Sequence, residues 1–451
     1  MKNIVVILSK RFLTSGISWL VIILVIYFYW YKFAHFEMFN NRQIIRNDAI
    51  SYYNYLPSAF ILKEMTFTSP SLQDWTTPLP DGRKVNKVTM GVAYFYAPFF
   101  LVTYEYFKIK GYNISCYSPM FQFAIGLSGL LASLLAMIVM RMNLRRFFSE
   151  SVTCLCLIII FLGTNTYYYG VFEGSFAHML NLFLISLLIN LTFTWYRRPS
   201  VFISVLFGLI AGWLVLVRPV NIIFCLFPLL YGLDSFKARL EFWKKQWIKI
   251  LVILLFAFII WIPQLLYWKW ATGQYFFFSY TGETFFWLQP EIIKGFFSYR
   301  SGWLVYTPLM ALAVVGMYFL YKNNRKLFYP VIIIFLLNVY IIYSWWCWWY
   351  VGFGSRPMVD SYGLLALPLG AFLTWLFNLK KILIAFALLL FYCFIYLNIF
   401  QSYQKNIGLI HWDGMTKELY WAHFMKERFA PGCDDMVKSP DYDRSKKERC
   451  D

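Results

Sequence analysis

The sequence is short of the residues on which much catalytic and metal-binding chemistry depends. It holds 22 acidic residues against 41 Lys and Arg, with 4 histidines and 8 cysteines in 451 positions. The cysteines are scattered, without a CxxC pair or a Cys/His spacing of the kind that ligates zinc. Cys154, Cys156, Cys225, Cys347 and Cys393 fall in or beside apolar stretches and read as small packing residues. Cys433 and Cys450 stand in a polar C-terminal tail, where an extracytoplasmic location would suit a disulfide. Charged residues make up 14% of the chain, against roughly 25% in ordinary globular proteins, which excludes a soluble fold. No internal repeat, low-complexity tract or soluble-domain boundary is visible. No apolar span carries a carboxylate near its middle, whereas ion-coupled transporters keep such groups at the bilayer midplane and many show inverted repeats. Transport is therefore the alternative reading, not the leading one.

What is present is apolar surface in membrane-length runs. Hydrophobic residues account for 60% of the chain and the mean hydropathy is +0.56. The formal net charge of +19 reads as positive-inside bias rather than as a nucleic-acid surface, because the basic residues cluster in short loops between apolar runs. Those clusters are Arg141 to Arg146, Arg197-Arg198, Lys237 to Lys249, Lys322 to Lys326 and Lys380-Lys381. With the N-terminus cytoplasmic, all five lie inside if spans run about 15–35, 119–140, 151–169, 178–195, 201–217, 220–233, 249–268, 303–321, 328–344, 358–378 and 381–398. The expectation is thus an all-α polytopic membrane protein of about eleven transmembrane helices, with 220–233 short enough to be re-entrant. The first span lacks a small-residue cleavage site and reads as a retained helix. The stretch from Gly91 to Phe100 is span-like, but counting it would invert every later loop. It reads as an interfacial helix in a first outer loop of about 36–118. Residues 1–398 form the membrane domain and 399–451 a short extracytoplasmic tail.

Under this topology the polar residues of interest converge on the outer face. They are Asp48, Lys87, Glu173, His178, Arg218, Arg300 and Arg356. Carboxylates beside several cations at a membrane surface suit chemistry on an anionic lipid. The cations neutralise a phosphate and stabilise its departure, while a carboxylate takes a proton from an attacking hydroxyl. Each residue also has a plainer role open to it. Asp48 could cap a loop helix, Lys87 could anchor to headgroups, Glu173 could pair with an arginine, and His178 could be a satisfied bundle histidine. The arginines could snorkel to headgroups. The run Trp345-Trp346-Cys347-Trp348-Trp349-Tyr350 is first an interface belt and second a platform for sugar or lipid.

At these residues the chain resembles the C-type glycosyltransferases, in particular the dolichyl-phosphate-mannose protein mannosyltransferase superfamily with its lipid A aminoarabinose transferases. Asn47-Asp48-Ala49-Ile50-Ser51-Tyr52-Tyr53 is similar to the element that carries that superfamily's catalytic Asp. Asn86-Lys87-Val88-Thr89-Met90-Gly91 is similar to its lysine-led interfacial helix, and Gly163 to His178 to the segment bearing a second acidic residue. Gly208 to Pro219, Phe296 to Pro308, and Trp348 to Arg356 follow in the same order. Ala49 stands where many members have Glu, and Gly174 where many have Pro. The resemblance implies an inverting sugar transfer from a polyprenyl-phosphate donor to a glycan, lipid or protein acceptor, with Asp48 as general base and Glu173 in support. It implies substrate contacts from Lys87, His178, Arg218, Arg300, Arg356, Tyr52 and Trp348, and leaves use of a divalent metal open. The membrane implied is a bacterial inner one, with the site periplasmic.

Overall fold

The computed structural model describes residues 16–36, 39–40, 44–232 and 236–449. Six of its helices are long and apolar enough to cross a membrane: Ile17–His35, Pro119–Leu144, Ala177–Arg197, Arg325–Ser344, Arg356–Leu376 and Lys381–Asn406. A seventh crossing results if Trp247–Ile259 and Ile262–Thr272, which meet at 41°, form one bent span. The other expected spans are helical but broken or short. Residues 151–169 split around Gly163 into Glu150–Leu162 and Thr166–Val171. Residues 303–321 split at Pro308 into Trp303–Tyr306, a 3-10 turn and the 13-residue Ala311–Asn323. Proline lacks the N–H that a continuous helix would need there. At 1.5 Å per residue, thirteen residues reach about 20 Å, short of a bilayer core of about 30 Å. Val201–Val217 has 17 residues, and the expected 220–233 span is the 3-10 turn Pro219–Cys225 followed by Leu226–Leu230.

Burial sorts the helices. The apolar window of Ala177–Arg197 is 83% buried and forms the centre of the bundle, while that of Lys381–Asn406 is 11% buried. An almost fully exposed apolar helix of 26 residues requires a hydrocarbon solvent, which makes this an integral membrane protein. Close helix approach uses small residues. A Cβ at Gly316 would strike the Pro368 carbonyl, so that glycine lets Ala311–Asn323 lie against Tyr362–Leu376.

Shorter elements and one further helix stand between Ile17–His35 and Pro119–Leu144. Asp48–Pro57 is a short helix, and Thr76–Pro78 pairs antiparallel with Lys84–Asn86 in a two-stranded ribbon, a small departure from the all-α expectation. Gly91–Lys110, the expected interfacial helix, has 20 residues but carries Glu105, Lys108 and Lys110 toward its end, and it is not among the membrane-length apolar helices. Hydrogen bonds lock these pieces onto the bundle. Gln122 Oε1 accepts from the backbone N–H of Ile44 and Ile45 at 3.2 and 2.7 Å. Asn86 Nδ2 donates to Ser51 O at 2.7 Å, and Thr77 Oγ1 to Ser279 O at 2.7 Å.

The last span runs on to Asn406 instead of ending near 398, and the tail beyond it folds back on the bundle. Asp413 accepts from Trp349 Nε1 at 2.7 Å and from the Tyr442 hydroxyl at 2.8 Å, while Arg449 donates to the Trp345 carbonyl at 2.5 Å. Cys433 is described, but the expected partner Cys450 lies outside the described residues.

Candidate active site

Asp48 is the first residue of its helix, at the end where the helix dipole is positive. Asn47 precedes it at φ +51°, a conformation that Asn tolerates better than most side chains. The carboxylate does not cap the helix. Its Oδ2 pairs with Arg356 Nη2 at 2.9 Å, while Oδ1 has no hydrogen-bond partner among the described residues.

Arg356 is presented by a strained loop. Tyr350, Gly352, Gly354 and Ser355 all have positive φ, and each non-glycine in such a conformation costs roughly 1–2 kcal/mol. The strain is held by fixed contacts. Asn165 Nδ2 donates to Gly354 O at 2.6 Å, Ser355 N–H donates to Ser301 Oγ at 3.1 Å, and the Ser355 and Tyr343 hydroxyls lie 2.9 Å apart.

Around this pair the structure gathers more ions. Glu173 Oε1 pairs with Arg46 Nη2 at 3.3 Å and is nearly buried. Arg218 Nη1 contacts Asp360 Oδ2 at 3.0 Å, and the other Asp360 oxygen lies 2.7 Å from His178 Nδ1. Asp360 is 2% exposed and also accepts from Asn181 Nδ2 at 2.9 Å. Burial of that carboxylate is tolerable because both of its oxygens are met, by three partners in all. Lys87 pairs with Glu283 and lies 5.0 Å from the centroid of the Tyr280 ring. Tyr52 and Tyr280 join the groups: each lies within electrostatic reach of Asp48, Arg218 and Arg356. Burial, with Asp48 adding to it, pushes the Tyr280 hydroxyl up to about 12 and the Tyr52 hydroxyl higher, so both act as neutral hydrogen-bonding groups.

Arg300 and Trp348 stand apart from that cluster. Arg300 donates to the Lys438 carbonyl at 3.1 Å and lies 5.4 Å over the Trp349 ring, toward the C-terminal segment. Trp348 is buried beside Lys294, whose ammonium lies 6.0 Å from its ring.

Several residues enter that the sequence did not single out. Arg46 sits two positions before Asp48, and Asp360 one helical turn beyond Arg356, each inside or next to a quoted motif. Glu283 is an acid in the aromatic outer segment 269–302. Lys405 is the least expected, since it lies past the apparent end of the last apolar run. It is 8% exposed, its ammonium has no hydrogen-bond partner, and it is within electrostatic reach of Glu173, Arg46, Asp413 and Arg356. A buried ammonium left in this state is costly unless an anion joins it. The cluster thus interleaves Arg46, Lys87, Arg218, Arg356 and Lys405 with Asp48, Glu173, Glu283 and Asp360, and Asp413 lies within reach of Lys405.

A divalent metal does not fit these side chains. Asp48 and Glu173 each face an arginine, and among the described residues no three His, Cys, Asp or Glu side chains converge to hold an ion.

No known protein family matches the sequence, and no curated protein matches it. The fold has counterparts among solved structures. An oligosaccharyltransferase of Archaeoglobus fulgidus in the apo form superposes with a TM-score of 0.54 at 11% identity, over 97% of this chain and 62% of that one. The archaeal oligosaccharyltransferase AglB from the same organism, solved with an inhibitory peptide and a dolichol-phosphate, gives 0.50 at 12% identity over 96% and 60%. The chain thus has a fold similar to that of the oligosaccharyltransferases, and it spans about three fifths of the length of these two structures.

Proposed function

We propose that the protein is a membrane glycosyltransferase that moves a sugar from a polyprenyl-phosphate donor to an acceptor hydroxyl. The finer placement, within the mannosyltransferase and aminoarabinose transferase superfamily, is part of this reading. The observation that carries it is the Asp48–Arg356 pair, with one carboxylate oxygen open to an incoming hydroxyl. A sugar-phosphate-lipid is a phosphodiester and carries one negative charge, which suits the Arg218 guanidinium and the Lys405 Nζ that lacks a hydrogen-bond partner among the described residues.

In the reaction the acceptor oxygen forms a bond to the anomeric carbon as the bond from that carbon to the phosphate oxygen breaks. The acceptor proton passes to Asp48, and the bonding pair leaves with the lipid phosphate. The departing phosphate gains charge, and Arg356, Arg218 and Lys405 are placed to stabilise it. Glu173 holds Arg46 and shares the field of Lys405, which makes it a positioning residue. Lys87, Tyr52 and Tyr280 line the same cluster and offer donors to the sugar or the phosphate. The site faces the extracytoplasmic side, the periplasm where the membrane is a bacterial inner one.

The test is reconstitution of the purified protein with a panel of polyprenyl-phosphate sugars, following release of the lipid phosphate. Release that depends on both acceptor and Asp48 is the expected result. A protein that carries the intact donor across the bilayer and never cleaves it would be a flippase, and the proposal would fall.

A further inference from the structure

A cavity of about 450 Å³ lies where the tail meets the 345–356 loop, and the transfer chemistry described above makes no use of it. Its volume falls within the range of small-molecule sites. Lys294, Arg300 and Lys417 line it from three separate segments, with Trp348, Tyr299 and Thr416 between them. No carboxylate is among its lining residues. The charge is partly offset nearby, since Lys294 pairs with Glu291 at 3.2 Å and Arg300 lies in the field of Asp413, so the surplus rests mainly with the exposed Lys417.

Each component narrows the ligand. The partly exposed Tyr299 ring, beside the edge of the buried Trp348, suits the C–H face of a sugar ring, and hydroxyls suit its oxygens. Three cations around the cavity suit a phosphate or carboxylate group. A neutral sugar would leave the cations unused, and a small inorganic anion would leave the aromatic wall bare. The cavity is also tied to the transfer site through the backbone. Trp348 and Arg356 belong to one loop, and Ser301, next to Arg300, accepts the Ser355 N–H that holds that loop at 3.1 Å.

The geometry points to this cavity as an acceptor subsite for a negatively charged saccharide, one that bears a phosphate or carboxylate. The word acceptor rests on the transferase reading of the Asp48 cluster; the binding does not. Such a saccharide reaches the site either as a soluble glycan or as the headgroup of a glycolipid.

The test uses the purified full chain in nanodiscs without donor, with glucose 6-phosphate as probe and intrinsic tryptophan fluorescence or calorimetry as readout. Glucose 6-phosphate is expected to bind at least about tenfold more tightly than glucose or inorganic phosphate, and Lys417→Gln to weaken it about fivefold, as befits one partly exposed charge-assisted bond. Equal binding of glucose, or phosphate alone binding as tightly as the sugar phosphate, overturns the proposal. So does binding that survives Lys294→Gln and Lys417→Gln together. Displacement of the probe by a phosphoglycolipid but not by phosphatidylglycerol assigns the saccharide to a lipid, and displacement by neither assigns it to a soluble glycan. Displacement by phosphatidylglycerol overturns the requirement for sugar. A chain that binds the probe but cleaves no donor refutes the transferase reading alone, and one that transfers sugar without binding the probe refutes the subsite alone.

Discussion

Replacing Asp48 by Asn removes one negative charge and the capacity to take a proton, while leaving the size of the side chain almost unchanged. General-base catalysis contributes about 10²–10⁴ in rate, or about 3–5 kcal/mol of barrier. The structural cost is smaller. Arg356 is 15% exposed and Asp48 33% exposed in their side chains, so the pair lies between the surface and buried limits, at about 1–2 kcal/mol. Asn can still accept from Arg356 through its amide oxygen. The variant should therefore fold, insert and unfold at a slightly lower temperature, yet release lipid phosphate at least about a hundredfold more slowly. Asp48→Glu keeps the charge but displaces it by a methylene, and a misplacement of about 1 Å costs on the order of 10²-fold. The assay is single-turnover cleavage of a labelled donor in proteoliposomes, with thermal unfolding measured on the same preparation. Full turnover by Asp48→Asn would refute the general-base role. A rate loss that only tracks the loss of folded protein would do the same.

Lys405→Met replaces an unpartnered buried ammonium with an apolar chain of similar length, so the melting temperature should rise while the KM for donor rises about tenfold; a variant less stable than the parent would contradict this. Asp360→Asn leaves the half-buried Arg218 without its countercharge, and a loss of about 1–3 kcal/mol should show as a lower unfolding temperature. Burial holds the Asp413 carboxyl above its ordinary value against the hydrogen bonds from Tyr442 and Trp349. Its contribution to stability is therefore full below the ordinary carboxylate range near 4 and is lost as pH rises through the raised folded value. Asp413→Asn should match the parent in melting temperature at acid pH and exceed it near neutrality, as read in parallel unfolding scans.

The membrane class and the positions of the helices were legible because apolar runs and basic loops are one-dimensional signals. Helix breaks were less so. Pro308 and Gly163 lie inside runs whose hydropathy is continuous, and the interruption is a backbone property that hydropathy does not record. Asp48, Glu173 and Arg356 could be picked out because charge is rare in this chain and each sits in a distinctive segment. Their partners could not, since pairing is a matter of distance between segments far apart in sequence. Arg218 and His178 both look outward in the sequence, yet in the fold they share Asp360. The outer-face topology groups Arg300 with Asp48, and the family resemblance adds Trp348, while the fold turns both toward the tail. Lys405 escaped notice because the apolar pattern ends before the helix does.

That last helix has a mechanical consequence. Its 26 residues measure about 39 Å, longer than a hydrocarbon core of about 30 Å, and before its last two turns few protein neighbours hold it. Such a helix adjusts its tilt to the thickness of the lipid around it. Its last turns are pinned, with Asn398 donating to the Tyr306 carbonyl at 2.8 Å, Gln401 to the Tyr420 hydroxyl at 2.8 Å and Gln404 to the His423 carbonyl at 2.7 Å, so tilt pivots about the end that carries Lys405. The helix is then a lever fixed at one end, and its lipid-facing length absorbs changes in bilayer thickness before they reach Lys405.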